Sequence, residues 1–314
     1  MRIGALLSVL MFATLPAAAD EQKLTLAAPP GQLHGTLLSA GKDAPAVLII
    51  AGSGPTDRDG NAPAAGLRSD MYKLLGEGLA AKNIASLRTD KRGVGESRGA
   101  MTAEADLRIQ TYADDVKSWA AKLREQTGAR CVWLMGHSEG ALLAEIAAQD
   151  DAGICGLVLI SGAGRKPGDI LREQFQQAMP EALRPVALSV LAELEAGRTV
   201  ADPPAQLAAL FRPSVQPYLI SWLKPDPAAL LSKIKRPVLI LQGDTDIQVS
   251  VADARLLAAA QPDAKLTVLA GVNHILKLAP ADRAANVATY ADPSLPLAPG
   301  VVDAVADFVH EHRP

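Results

Sequence analysis

Ser138, His274 and an aspartate at 244 or 246 are the residue types that turn a hydroxyl into a nucleophile. A free serine attacks a carbonyl poorly, so a base must take its proton and an acid must orient that base. Ser138 lies in Gly136-His137-Ser138-Glu139-Gly140, between the apolar run "CVWLM" and the helix-forming run "ALLAEIAA". A sharp strand-to-helix turn of this kind holds the hydroxyl above the strand ends. It also sets a helix N-terminus beneath developing negative charge. The flanking glycines suit a turn that any larger side chain would crowd. The same pattern recurs as Gly95-Glu96-Ser97-Arg98-Gly99, but there "TDKRGVG" leads in and "AMTAEADLR" leads out. Neither flank is an apolar run, so Ser97 reads as a loop residue and Ser138 as the nucleophile.

Five histidines compete for the base. His34 falls in an early hairpin, His137 inside the elbow itself, and His310 and His312 in a charged C-terminal helix. His274, in "LAGVNHILK", follows the last strand, and loops at strand C-termini are where an open α/β sheet builds its site. The acid comes from "LILQGDTDIQVS", also directly after a strand, which offers both Asp244 and Asp246.

These residues need a scaffold that brings distant loops together. Alternating stretches at 23–28 and 32–39, joined by Pro29-Pro30-Gly31, read as a β-hairpin. "APAVLIIAGSG" is a continuous apolar run, the mark of a strand buried on both faces. Strands and helices then alternate. Residues 71–82, 112–126 and 141–148 read as helices, and 84–89, 131–135 and 156–161 as strands. After an irregular stretch the alternation resumes with "RPVLILQGD", a helix at 251–260, "AKLTVLAG" and a helix at 301–312. The pattern predicts an α/β fold with a mostly parallel eight-stranded sheet flanked by helices, its first pair antiparallel. Residues 20–164 and 236–314 form its core. Residues 165–235, helical and proline-rich with no good strand, form an insertion.

Composition narrows the possibilities. With 49 % hydrophobic and 21 % charged residues, the 314-residue chain can bury a large core and is not of disordered type. A net charge of -3 gives no basic excess, so neither nucleic acid nor an anionic membrane surface is an expected partner. Residues 1–19 read as a signal peptide. Arg2 opens it, residues 3–15 form an apolar region too short to span a bilayer, and Leu15-Pro16-Ala17-Ala18-Ala19 ends as a cleavage site. Cleavage after Ala19 would make Asp20 the mature N-terminus of a periplasmic or otherwise exported protein. Cys131 and Cys155 are the only cysteines, too few for a four-ligand zinc site. No dinucleotide fingerprint appears, and no cofactor or metal is expected.

The chain order Ser, Asp, His, the elbow and the strand-helix alternation resemble the α/β-hydrolase superfamily across nearly all of the mature chain. In that family the acid often lies in Gly-x-x-Asp-x-x-Val. Here that stretch is Gly243-Asp244-Thr245-Asp246-Ile247-Gln248-Val249, so the resemblance selects Asp246 and leaves Asp244 a structural role. "AGSGPTDRDGN", from Ala51 to Asn61, is similar to the Gly-Ser-Gly-Pro-x-Asp-Arg-Asp-Gly loop of bacterial esterases and serine-aminopeptidase-like hydrolases. That likeness implies an oxyanion hole made by the Ser53 and Glu139 N–H groups, with Asp57, Arg58 and Asp59 as a loop-fixing charge cluster. "RTDKRGVGES" resembles the family's Asp-x-Arg-Gly-x-Gly-x-Ser scaffold loop, which accounts for the second Gly-x-Ser-x-Gly. Epoxide hydrolases and haloalkane dehalogenases of the fold carry aspartate where Ser138 stands.

The resemblance implies an acyl-enzyme serine hydrolase acting on small-molecule carboxylic esters. The insertion would then be a cap, with Phe175, Phe211, Tyr218 and Trp222 as candidates for an acyl pocket. Two rivals remain. An aminopeptidase-like enzyme would use Glu173, Glu181, Glu193 or Glu195 to receive an α-ammonium, and a non-catalytic member of the fold would only bind ligand. In this fold the elbow strand and the next strand are parallel neighbours. Cys131 lies seven residues before Ser138 and Cys155 seven before Gly162, so level strand ends would set the two thiols side by side, within reach of a disulfide.

Overall fold

The computed structural model describes residues 20–41, 43–150 and 153–313. The expected signal peptide lies outside them. Strands β1 (Glu21–Ala28) and β2 (Gly31–Leu38) form the antiparallel hairpin, and β3 (Ala46–Ile50) is buried at every residue. A two-rung ladder of β4 (Asn61–Ala62) and β5 (Leu67–Arg68) closes the loop after β3. Then come α1 (Met71–Ala81), β6 (Ala85–Thr89), α2 (Ile109–Thr127), β7 (Val132–His137), α3 (Glu139–Ala147) and β8 (Ile154–Ile160). Five helices follow: α4 (Pro167–Ala178), α5 (Arg184–Glu195), α6 (Ala208–Phe211), α7 (Gln216–Trp222) and α8 (Pro227–Leu231). The chain ends with β9 (Val238–Gly243), α9 (Val251–Ala260), β10 (Lys265–Leu269), α10 (Arg283–Ala288) and α11 (Val301–Glu311).

The eight-stranded sheet has the order β1-β2-β6-β3-β7-β8-β9-β10, and only the two pairings of β2 are antiparallel. Successive strand residues face opposite layers, because side chains alternate along a strand. Leu48, Leu134, Leu157 and Ile240 pack on one side with Trp119, Leu123 and Leu143. Val47, Trp133, Met135, Val158 and Leu241 pack on the other with Leu75 and Phe308. Both faces are covered, which is why β3, β7 and β9 read as unbroken apolar runs.

Topology decides where a site can form. From β3 the chain crosses to β6 on one side, then returns past β3 to β7 on the other. The strand order reverses between β3 and β7, and their C-terminal ends leave a crevice there. Ile50 and Gly136 are level at this point. Helices α4 to α8 lie between β8 and β9 in sequence. Helices α4 to α7 bury a separate core of Leu171, Phe175, Leu191, Leu194, Phe211 and Leu219, whereas Leu231 of α8 joins the core beneath the sheet. No described helix is long and apolar enough to cross a membrane.

Cys131 and Cys155 form a disulfide with Cα atoms 5.1 Å apart. The two strand ends are not level in the way the spacing suggested. Ser138 continues a register that sets His137 opposite Ile160, so it lies beside Ser161 rather than Gly162. A register shift follows at the other end, where Val132 pairs with Ile154 but Trp133 pairs with Gly156. Cys155 is the extra residue in this bulge, and the local kink brings its sulfur to Cys131.

Candidate active site

The chain passes from β7 through Ser138 straight into α3, and Ser138 adopts φ 56°, ψ -120°. A non-glycine residue in that region is strained by roughly 1–3 kcal/mol and persists only where its surroundings enforce it. Two close approaches do so. A Cβ at Gly136 would stand 2.1 Å from the Gly140 oxygen, and one at Gly140 would stand 2.2 Å from the Ile50 oxygen. The turn therefore folds back on itself and presses against β3, which only glycine at both positions allows.

Ser97 has a different setting. It is fully buried in a short 3-10 segment (Gly95–Ala100), where its hydroxyl donates to the Asp90 carbonyl at 3.1 Å and accepts the His34 N–H at 2.8 Å. With both bonds engaged, it is a scaffold residue.

His274 sits in the loop after β10, with its Nδ1 2.8 Å from Asp246 Oδ2. The other Asp246 oxygen accepts the N–H groups of Gln248 (2.8 Å) and Val249 (3.0 Å), and Gln242 Nε2 donates to Oδ2 at 3.2 Å. Burial alone would raise the pKa of this carboxyl, but the imidazole and the two backbone donors bring it down to about 2. Asp244 instead accepts the Gly271 N–H at 2.7 Å, tying the two loops together.

Ser138 and His274 are not directly hydrogen-bonded. Serine–imidazole bonds are often long before substrate arrives and tighten in its complex. What joins their two loops is His137, whose ring centre is 4.7 Å from that of His274. Its Nε2–H donates to the His274 backbone carbonyl at 2.8 Å, and its Nδ1 accepts the Tyr72 hydroxyl at 2.9 Å. Tyr72 Oη in turn accepts the Gly52 N–H at 2.9 Å. A carbonyl at one end can only accept and an N–H at the other can only donate, so the tautomer and every proton in the chain are set. Burial, reinforced by unfavourable electrostatics with the adjacent His274 ring, lowers the His137 pKa to about 3 and keeps the ring neutral. Sequence reasoning passed over His137 as part of the elbow. No local signal could have revealed partners 65 and 137 residues away.

The loop after β3 faces the elbow. Gly52 N–H is already engaged by Tyr72, while Ser53 N–H and Glu139 N–H have no protein acceptor among the described residues. The charge cluster fixes this loop. Arg58 reaches Asp90 (2.6 Å), Glu96 (2.5 Å) and Thr36 (3.0 Å), Asp59 pairs with Arg88, and Asp57 accepts the N–H groups of Asp59 and Asn61 at 2.9 Å. Asp90 also accepts the backbone N–H groups of Arg58 (2.8 Å) and Glu96 (2.9 Å), so the two motif loops are buttressed on one carboxylate.

A cavity of about 460 Å³ opens at Ser138, lined by Ser53, Glu139, Ile170, Leu171, Tyr218 and Trp222 among others. Of the four aromatic candidates, Tyr218 and Trp222 line it. Phe175 and Phe211 do not: their rings stack edge to face at 6.1 Å in the core of the insertion. Burying two large rings against each other holds that helical layer together, which outweighs exposing them to a cavity.

A sequence profile described as the alpha/beta hydrolase family matches residues 33–289. The chain belongs to the alpha/beta hydrolase family. It is 26 % identical over 265 residues to Esterase EstD of Thermotoga maritima, a match covering 83 % of this chain and 61 % of that protein. The chain thus spans about three-fifths of that relative's length. Among solved structures, Est1E from Butyrivibrio proteoclasticus superposes with a TM-score of 0.58 at 16 % identity, covering 92 % of this chain and 98 % of that one. An esterase from Pyrococcus furiosus gives 0.59 at 17 %, covering 95 % and 92 %. At such identities these structures establish the fold. In this α/β hydrolase the loop at Ser53, the Gly-x-Ser-x-Gly turn, Asp246 and His274 follow the C-terminal ends of β3, β7, β9 and β10, respectively.

Proposed function

We propose that this α/β hydrolase is an exported carboxylesterase. Ser138 Oγ attacks the ester carbonyl while His274 takes its proton. Asp246 orients the imidazole and stabilises its charged form. The oxyanion of the tetrahedral intermediate lies between the N–H groups of Ser53 and Glu139. Collapse releases the alcohol, which receives the proton from His274, and leaves an acyl-Ser138. Water, activated by the same imidazole, then frees the acid. The observation that carries this reading is the buried Asp246–His274 pair, whose loop His137 anchors to the strained Ser138 turn.

Helices α4 to α8 serve as the cap, and the cavity's largely apolar wall suits an acyl group. An ester reading fits better than an aminopeptidase one. Glu173, Glu193 and Glu195 are paired with Arg165, Arg198 and Arg172, and none of the four candidate glutamates lines the cavity at Ser138. An α-ammonium would have to win a carboxylate from a guanidinium. The names of the relatives, EstD and Est1E, point the same way. Export follows from the character of residues 1–19, and the Cys131–Cys155 bond is consistent with an oxidising compartment.

Labelling by a fluorophosphonate probe, abolished in Ser138→Ala, tests the enzyme against a binding-only member of the fold. A panel of p-nitrophenyl esters and amino-acid p-nitroanilides tests ester against peptide substrates. Faster turnover of the anilides would overturn the carboxylesterase reading. An N-terminus at Asp20 in protein recovered from the periplasm tests export.

A further inference from the structure

Three basic residues of the scaffold loop and its strand follow one another closely, and they are not used alike. Arg88 pairs with Glu21 and Asp59, and Arg92 with Asp115. Lys91 forms no ion pair among the described residues. Its ammonium donates to the Gly52 carbonyl and lies 6.0 Å from the centre of the Tyr112 ring. Burial pulls its pKa down, against the opposing pull of Glu139. Lys91 is only partly exposed, and placing a cation there without an ion-pair partner costs more than a neutral donor to the same carbonyl would.

The carbonyl in question belongs to the Gly52–Ser53 peptide, whose other end is the Ser53 N–H. In a trans peptide C=O and N–H point in opposite directions across one rigid plane. Gripping the oxygen therefore aims the N–H. A cation on the oxygen also draws electron density along the amide and makes the N–H a better donor, as in hydrogen-bond chains that polarise one another. The preceding peptide is held too, since Gly52 N–H donates to Tyr72 Oη. We propose that Lys91 is a positioning residue for oxyanion stabilisation, holding and polarising the Gly52–Ser53 peptide so that Ser53 N–H meets the developing charge. This inference rests on the proposed esterase reading and on Ser53 as one of the two donors.

The test is Lys91→Met, which keeps an aliphatic stem and removes the charge, studied in the full chain with its disulfide intact. A donor that strengthens only as charge develops acts on the transition state and not on the bound ester. Deleting a whole oxyanion donor costs about 10²–10³-fold in kcat, so weakening one should cost about 10–100-fold. KM should stay within about threefold. Affinity for a trifluoromethyl ketone, whose adduct with serine carries an oxyanion, should fall by the same factor as kcat/KM.

Should Lys91→Met fail to fold, Lys91→Cys supplies a second comparison, because Cys131 and Cys155 leave no other free thiol. Alkylation in urea without reductant, with bromoethylamine or with bromopropane, followed by refolding, yields side chains of equal length that differ in the ammonium. The aminoethyl form should be the more active by at least about tenfold, within the same range. The proposal is overturned by a Lys91→Met kcat within twofold of the parent. It is also overturned by a kcat loss with unchanged ketone affinity, or by equal activity of the two alkylated forms. A parent that neither binds the ketone nor hydrolyses esters through Ser138 overturns the esterase reading itself. That result is distinct from a parent that binds it and a Lys91→Met variant that binds it equally well.

Discussion

The chain contains Gly-x-Ser-x-Gly twice, and the two copies have opposite fates. At Gly136–Gly140 the serine sits at positive φ between a buried strand and a helix, beside a cavity. At Gly95–Gly99 the serine is fully buried and its hydroxyl holds the scaffold loop to β2. The glycines differ as well. A Cβ at 136 or 140 would collide with backbone, whereas one at 99 would meet nothing within 4 Å. Five residues of identical pattern therefore mean little until the elements on either side are known. The flanks, not the motif, supply the strain and the exposure that a nucleophile needs.

The largest expected contrast is in catalysis. Ser138→Ala should lower esterase kcat by roughly 10³-fold or more, and Ser97→Ala should leave it within a few-fold. Ser97→Ala should instead lose stability, by about 1 kcal/mol, because the partly buried His34 N–H is left without its acceptor. Ester kinetics and urea titration of both variants decide the matter, and equal kinetic losses would erase the distinction between the copies.

The two aspartates after β9 offer a second contrast. Asp246→Asn should reduce kcat by about 10²–10⁴-fold, since an amide cannot stabilise the imidazolium and favours the wrong tautomer. Asp244→Asn should cost only the loop contact to Gly271. A greater kinetic loss in Asp244→Asn would show that the acid is misassigned.

Backbone crowding comes next. Gly140→Ala should destabilise the protein by several kcal/mol or prevent folding, through the clash with the Ile50 oxygen. Gly99→Ala should change stability by no more than about 0.5 kcal/mol, as ordinary surface substitutions do. Thermal melts of the pair would sharpen the comparison at the level of the main chain.

The smallest effect concerns pH. The folded-state pKa of His137 is depressed to about 3 from 6.5, so between those values the unfolded chain binds a proton that the folded one refuses. Stability from this residue is present above about pH 6.5 and is lost as pH falls toward 3. His137→Gln should be less stable than the parent at neutral pH, and its melting temperature should fall less steeply between about pH 6 and pH 4. Parallel curves for the two proteins would remove His137 from the account of acid sensitivity.

Much of this architecture could be read in the chain because its causes are local. Strands buried on both faces need unbroken apolar runs, amphipathic helices need their period, and a sharp turn between them needs small residues. The eight strands, the antiparallel start and the pairing of Asp246 with His274 all rest on such local signals or on the resemblance they support. Tertiary structure alone decided the rest. Tyr72 and His137 were joined to the His274 carbonyl by contacts between residues far apart in sequence. It turned Phe175 and Phe211 into the insertion's own core and left Tyr218 and Trp222 to line the cavity. A bulge at Cys155, invisible in the spacing, set the register that closes the disulfide. Hydrogen-bond partners and ring contacts depend on which surfaces meet once the layers pack, and a one-dimensional pattern carries no distance between residues that folding alone brings together.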